Sequence, residues 1–309
     1  MKTIAAVSLS NAQSSVDFTA RFLENDFHVI HIATGGDMDK AANALTEWEP
    51  RADALAIENI PLPFSTVQDR FPDQREPKLR ELTGFFEKPF SIGNDFLAVC
   101  REWTMERIQR DHEGLFLDSQ ILFTSGMTDF AMAGSLLELS DDLRFCDPVF
   151  VAGIPKILNS IEDLKIFAQY AYPVTERIFS RQIAAGTFFL KALNRHTVLS
   201  AIKKADVLVV PHYCWHEHIG DCGIDALNEK IVVSAAISGE RVNFLKQRGV
   251  RMVIDTIPKM LETVVGPAVL ESMVKIAAGF KRPSPDHAEI KNAIAGLAPE
   301  PRIIFPFGV

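Results

Sequence analysis

Short, nearly uninterrupted apolar runs alternate with helix-like stretches along this 309-residue chain, and that alternation constrains its fold more than any other feature. A strand that is apolar on both faces must be covered on both faces, and parallel neighbours need crossover segments to join them. The opening reads as βαβαβ. IAAVSLS is a strand, SSVDFTARFLEND a helix with Val16, Thr19, Ala20 and Leu23 at helical spacing, HVIHIATGG a strand, DMDKAANALTEWE a helix and ADALAIENIP a strand. Proline and charge break the pattern over 61–89, a linker or covering loop, and a helix is expected over 95–112. The alternation then restarts. SQILFTSGMTDFAMAGSLLEL reads as strand, turn and helix, DPVFVAGIP as another strand, and 161–179 and 183–204 as helices, the first kinked at Pro173. ADVLVVPHY, KIVVSAAIS and RMVIDTIP are three further strands, with GERVNFLKQRG a helix between the last two. A long helix is expected to start at Pro258, to be disturbed at Pro267 and to close at Gly279.

The pattern predicts an α/β fold of two Rossmann-like βα halves, with mostly parallel sheets covered by helices. The boundaries are 1–115 and 116–280, and 281–309 supplies a C-terminal helix and tail. The apolar ending RIIFPFGV is costly to expose, so the tail should pack on the body or on a partner subunit, which makes a homo-oligomer one expectation. Residues are 47% hydrophobic and 23% charged, a globular balance that excludes a disordered chain, and no apolar run reaches membrane-spanning length. The amino terminus passes directly into a strand with no leader-like segment, so a cytoplasmic location is expected. Four sparse cysteines fit a reducing compartment. A net charge of −8 without a basic stripe argues against nucleic-acid partners.

In open α/β sheets, ligands bind beyond the carboxyl ends of strands, where helix amino termini present unpaired N–H groups. Five loops qualify. Ser8, Ser10, Asn11, Ser14 and Ser15 can cradle a phosphate or carboxylate, or simply cap a helix. Thr34, Gly35, Gly36 and Asp37 allow close backbone approach and offer an acid to a ribose, or form a turn with a cap. Glu58 and Asn59 place a carboxylate at a strand end, a position more often held by a solvated or capping acid. The loop from Thr124 to Asp129 runs from strand to helix as a dinucleotide fingerprint would. It keeps one glycine of three, Gly126, and its Asp129 would repel a pyrophosphate, so an NAD(P) site would be atypical. Ser238 with Arg241, and Asp255 with Thr256, are further strand-end groups able to hold an anion or to cap.

The densest polar cluster follows ADVLVV. His212, Cys214, His216, His218 and Cys222 can ligate zinc or iron, and an extended strand would point the first four one way, although their spacing matches no standard zinc pattern. Alternatively His212 or His216 acts as a general acid or base. In the plainer reading Tyr213 and Trp215 pack on the body while the histidines are solvated.

The stretches AVSLS, GGDMDKA, ADALAIENI, FTSGM, ADVLVV and RGVRMVIDTIP resemble a bacterial family described as quinate or shikimate 5-dehydrogenase-like. The resemblance spans most of the chain through βα junctions. It implies two Rossmann-type halves and NAD(P)-linked oxidation of a hydroxyl on a carboxylated ring. Three readings stay open: an enzyme acting on a small anionic metabolite in a cleft between the halves, with His212 or His216 moving the proton; a non-catalytic ligand-binding or sensory protein; and a metal-dependent protein built on the histidine and cysteine loop.

Overall fold

The computed structural model describes all residues except 10–16, 60–63, 66–69, 72–78, 80, 82, 172–187, 213–214, 262–264, 281–286 and 306–309. The chain forms two compact units interleaved in sequence: Met1–Pro63, Pro72–Arg107 and Thr256–Arg302 make the first, and Phe64–Phe71, Ile108–Asp255 and Ile303–Val309 the second. The return of 256–302 to the first unit departs from contiguous halves divided at 115 and 280.

The first unit begins with β1 (Lys2–Ser8), β2 (Phe18–Phe22), β3 (Asn25–Ala33), α1 (Met38–Trp48) and β4 (Ala54–Glu58). Within the stretch expected to be the first helix, Phe18–Phe22 is instead a hairpin strand, because β2 pairs antiparallel with β3 across a two-residue turn; Ser14, Ser15 and Val16 lie outside the described residues. Its exposure alternates, with Phe22 buried and Thr19 and Arg21 exposed, so period two prevails over the helical spacing. Leu23 in the turn takes a left-handed φ of 54°. Two short strands, β5 (Phe64–Ser65) and β6 (Arg70–Phe71), pair only with each other among the described residues. β7 (Phe90–Ser91) then completes a sheet of order β2-β3-β1-β4-β7, in which β1 lies parallel to both β3 and β4, and β4 to β7. Next comes α2 (Asn94–Asp111). On one sheet face Ala5, Val7, Leu9, Leu55 and Ile57 pack with Ala41 and Leu45 of α1.

In the second unit β8 (Ile121–Phe123) leads to α3 (Phe130–Leu137) and β9 (Leu143–Phe145). DPVFVAGIP, expected as a strand, forms α4 (Asp147–Ala152): Pro148 sits in its first turn, and Gly153 closes it at a left-handed φ of 63°. The first of the two expected long helices is α5 (Ile161–Ile166), which passes into a π-helical turn, Phe167–Ala171, and the kink expected at Pro173 lies outside the described residues. The second expected helix is described as α6 (Phe188–Lys204). Then follow β10 (Val207–Val209), α7 (Trp215–Ile219), α8 (Ile224–Leu227), β11 (Ile231–Ser234), α9 (Gly239–Lys246) and β12 (Met252–Asp255).

The helix expected from Pro258 starts instead at Pro267, giving α10 (Pro267–Ala277), with Pro267 opening the helix rather than disturbing it. Gly279 closes it at φ 67°. α10 packs on β1, β3, β4 and β7 within the first unit and is buried without a break from Ala268 to Lys275. Its Lys275 pairs with Glu271 at 2.5 Å, and that carboxylate also accepts from Gly93 N–H at 2.8 Å. α11 (His287–Leu297) follows, and the start of the apolar ending, β13 (Arg302–Ile304), is the edge strand beside β12, while 306–309 lie outside the described residues.

The second sheet has the order β13-β12-β11-β10-β8-β9, with β8 to β12 mutually parallel. Leaving out the hairpin strand β2, both sheets share one plan, in which the second parallel strand lies beside the first and the third on its other side. Such doubly wound sheets reverse strand order between their first and third strands, and the crevice at that reversal is where the architecture places ligands. The reversals lie between β1 and β4 and between β8 and β10. No helix of the described residues is long and apolar enough to cross a membrane.

Candidate functional site

At the β1/β4 reversal, register sets the chemistry. Ala6 pairs with His31 and with Ala56, and Ser8 with Ala33 and Glu58, so these residues share one sheet face. The alanines and Ser8 are small, which lets the imidazole of His31 and the carboxyl of Glu58 meet diagonally across β1, Nδ1 to Oε2 at 3.5 Å. The amino end of α10 closes over them. A Cβ on its N-cap residue Gly266 would fall 1.7 Å from Glu58 Oε1, so any larger residue there would displace the Glu58 carboxyl from its present position. The Glu58 side chain is 10% exposed and that of His31 25%, which leaves the couple reachable from solvent. Burial pushes the Glu58 carboxyl up to about 7. Burial also lowers His31, opposed by the nearby charge of Asp17. Near pH 7 the carboxyl is therefore about half protonated, beside an imidazole whose charged form burial disfavours. Around them Asn59, at φ 64°, donates to Ser8 Oγ at 2.8 Å, and Thr34 Oγ1 donates to the Ser8 carbonyl at 2.8 Å.

Gly35 and Gly36 form the turn after β3 at φ 64° and 80°. Asp37 caps α1, accepting from the N–H groups of Asp39 and Lys40, and the latter bond chiefly holds its carboxyl below the usual range. Ser10 and Asn11 lie outside the described residues.

The β8/β10 reversal is filled by the chain itself. His218 of α7 bonds through Nδ1 to Thr124 Oγ1 at 2.7 Å and stacks on Phe150, ring centroids 3.8 Å apart. Burial pushes this imidazole down to about 4, so it is neutral. In the fingerprint-like loop, the N–H groups of Gly126 and Met127, which a phosphate would need, donate to the fully buried carboxyl of Asp147 at 2.8 and 2.9 Å. Burial, with the like charge of Asp129, raises that carboxyl to about 7 against the pull of those N–H groups. Gly126 is glycine for packing, since a Cβ would meet Phe145 Cδ1 at 2.2 Å. The loop after β11 repeats the arrangement: Ala236 and Ile237 N–H donate to Asp255 at 2.9 Å each. Ser238 caps α9 by accepting from Arg241 N–H. The residues present therefore do not fit a dinucleotide phosphate at either loop.

The histidine and cysteine cluster does not form one face, because 215–219 is helical rather than extended. His216 is exposed, His218 points into the core, and Cys222 is buried with its thiol pushed up to about 11 chiefly by burial. Among the described residues no group of three or more histidine, cysteine, aspartate or glutamate side chains could hold a metal, and Cys214 lies outside them. The His212 carbonyl accepts from Arg241 Nη2 at 2.7 Å, and the guanidinium lies over the buried Trp215 ring, 5.2 Å from its centroid. Trp215 thus packs into the body, as the plainer reading of this loop expects, while Tyr213 lies outside the described residues. His31 was not among the residues singled out from sequence. Its one signal is a histidine within the apolar run Val29–Ala33 of β3.

Among solved structures, the chain is similar to glutamate dehydrogenase from Thermus thermophilus, at 11% identity over 96% of this chain and 74% of that one, TM-score 0.46. A malic enzyme from Pyrococcus horikoshii aligns at 15% identity over 99% and 72%, TM-score 0.40. A carbohydrate transporter from Acidothermus cellulolyticus in complex with myo-inositol aligns at 10% over 96% and 98%, TM-score 0.38. Likeness at this level carries no argument about activity. No curated protein matches the sequence. Residues 3–84 match the model described as Domain of unknown function (DUF8753). Over residues 96–306, more than half its length, the chain matches the model described as Domain of unknown function (DUF8754), and it belongs to that family.

Proposed function

We propose that this protein is an enzyme that performs acid–base chemistry on a small, uncharged polar metabolite, with Glu58 as the proton donor and His31 as its partner base. One observation carries the reading: a carboxyl with its pKa raised to about 7 lies 3.5 Å from an imidazole at the strand-order reversal of the first sheet, still open to solvent. Two titratable groups displaced in opposite directions supply a donor and an acceptor at one pH, which suits proton transfer at a hydroxyl or carbonyl. Asn59 and Ser8 are placed to orient such a group. An uncharged ligand is favoured over an anion because carboxylates already occupy the strand-end amides, Asp147 and Asp255 in the second unit and Asp37 in the first. The same occupation weighs against an NAD(P)-linked dehydrogenation at the Gly126 loop.

The test incubates purified wild-type protein and Glu58→Gln with a mixed metabolite extract and follows every mass feature with time. The wild type should consume at least one compound, with a rate that follows a group titrating near 7. The variant should be slower by about a hundredfold or more. Equal consumption by both proteins, or none by either, would overturn the reading.

A further inference from the structure

We propose that the second unit carries a separate binding site for a small organic anion, a carboxylate or phosphate ester with an apolar body, under α6 at the edge of its sheet. A cavity of about 450 Å³ lies there, within the size range of small-molecule sites. Its apolar lining is Leu122 of β8, Ile157 and Ala201 of α6, and its polar lining includes Arg144 of β9 with Ser200 and Lys204 of α6. Apolar surface with a few cationic donors suits an amphipathic anion rather than a free inorganic ion.

Arg144 is held in place before any ligand arrives. Its Nε pairs with Asp142 at 2.5 Å, and its Nη1 donates to Asn159 Oδ1 at 2.5 Å. Those two bonds fix the guanidinium plane and engage two of its five N–H donors. Lys204 stands in the last turn of α6, where a cation ordinarily serves the helix carbonyls. Here Lys230 does that instead, its ammonium donating to the carbonyls of Lys203 and Ala205, which releases Lys204 for a ligand. His196 also lines the cavity, and the lining itself holds Arg144 and Lys204 and, among the described residues, no carboxylate. The acids bonded to lining residues are all engaged there, Asp142 by Arg144 and Gln120, Asp206 by Gln120 N–H and Asp163 by Asn159 N–H. Gln120 precedes β8 and Lys204 ends the helix leading to β10, so the cavity sits toward the strand starts. The loops after β8, β10 and β11 lie at the other end of the sheet.

Calorimetric titration of the full chain with benzoate, phenyl phosphate and the neutral benzyl alcohol tests this. At least one of the two anions should bind saturably, and benzyl alcohol should bind about tenfold more weakly or less. Arg144→Gln and Lys204→Gln should each weaken the anion by about tenfold, the value of one charge-assisted hydrogen bond. Lys204 is exposed, so its variant separates ligand loss from misfolding, and melting curves confirm that both variants fold. Absence of saturable binding by both anions, equal binding of benzyl alcohol, or undiminished binding by the folded Lys204→Gln variant would overturn the proposal.

Discussion

A carboxyl whose pKa burial raises to neutrality costs stability, and Glu58→Gln should reveal that cost. Folding carries Glu58 from 4.5 to about 7. At about 1.4 kcal/mol per pH unit, that interval is worth at most about 3.5 kcal/mol. Below pH 4.5 both folded and unfolded chains hold the proton, and the penalty is absent. Between 4.5 and 7 the unfolded chain has released a proton that the folded chain keeps, so stability falls as pH rises, and above 7 the full penalty stands. Glutamine keeps the shape and carries no charge. Urea unfolding should therefore find Glu58→Gln within about 0.5 kcal/mol of wild type at pH 4 and more stable by up to about 3.5 kcal/mol at pH 8. A variant less stable than wild type at pH 8 would show an ionised Glu58 paired with a charged His31, and the donor role would fall.

Other outcomes follow from the second unit and from one turn. Gly126→Ala should destabilise by about 1–3 kcal/mol in thermal melts, because its methyl group must displace the buried Phe145 ring. Asp147→Ala should cost about 2 kcal/mol or more, since Gly126 and Met127 N–H lose their acceptor, and NAD or NADP titrated into wild type should give no micromolar binding. His218→Ala should cost about 2–3 kcal/mol at pH 8 and less toward pH 4, where wild type loses the benefit of burying a neutral imidazole; His216→Ala should stay within about 0.5 kcal/mol, and a matching loss in both would contradict the helical placement of 215–219. Leu23→Gly should raise stability by about 1 kcal/mol, because Leu23 is half exposed at a left-handed φ.

The parallel strands were legible because runs such as AVSLS, ALAIE, VLVV and MVID are apolar on both faces, and only a covered sheet accommodates that. Two elements misled for opposite reasons. Residues 18–22 carry both a helical and an alternating pattern, and the alternation prevails because β3 offers an edge to pair with. In 147–153 the apolar content suggests a strand, whereas the early proline and final glycine are the decisive helix punctuation. Glu58 was visible as a strand-end acid, but not as a buried one: its cover is Gly266, more than two hundred positions later, and no local reading connects them. Asp147 escaped notice because its partners, Gly126 and Met127, belong to the preceding strand's loop.

The late arrival of α10 also sets a schedule for synthesis. Roughly two hundred residues separate β4 from the helix that covers the Ala6 and Glu58 face of its sheet. At about 5–20 residues per second, a ribosome takes on the order of ten to forty seconds to deliver that cover. For that interval the nascent first unit lacks the lid over its sheet. Its strands must wait in a loose or guarded state, while the second unit has all of β8 to β12 available to assemble first. Chains stalled before residue 267 should accordingly be protease-sensitive in the amino-terminal sheet and resistant in the later one, an inversion of the usual order in which nascent proteins mature.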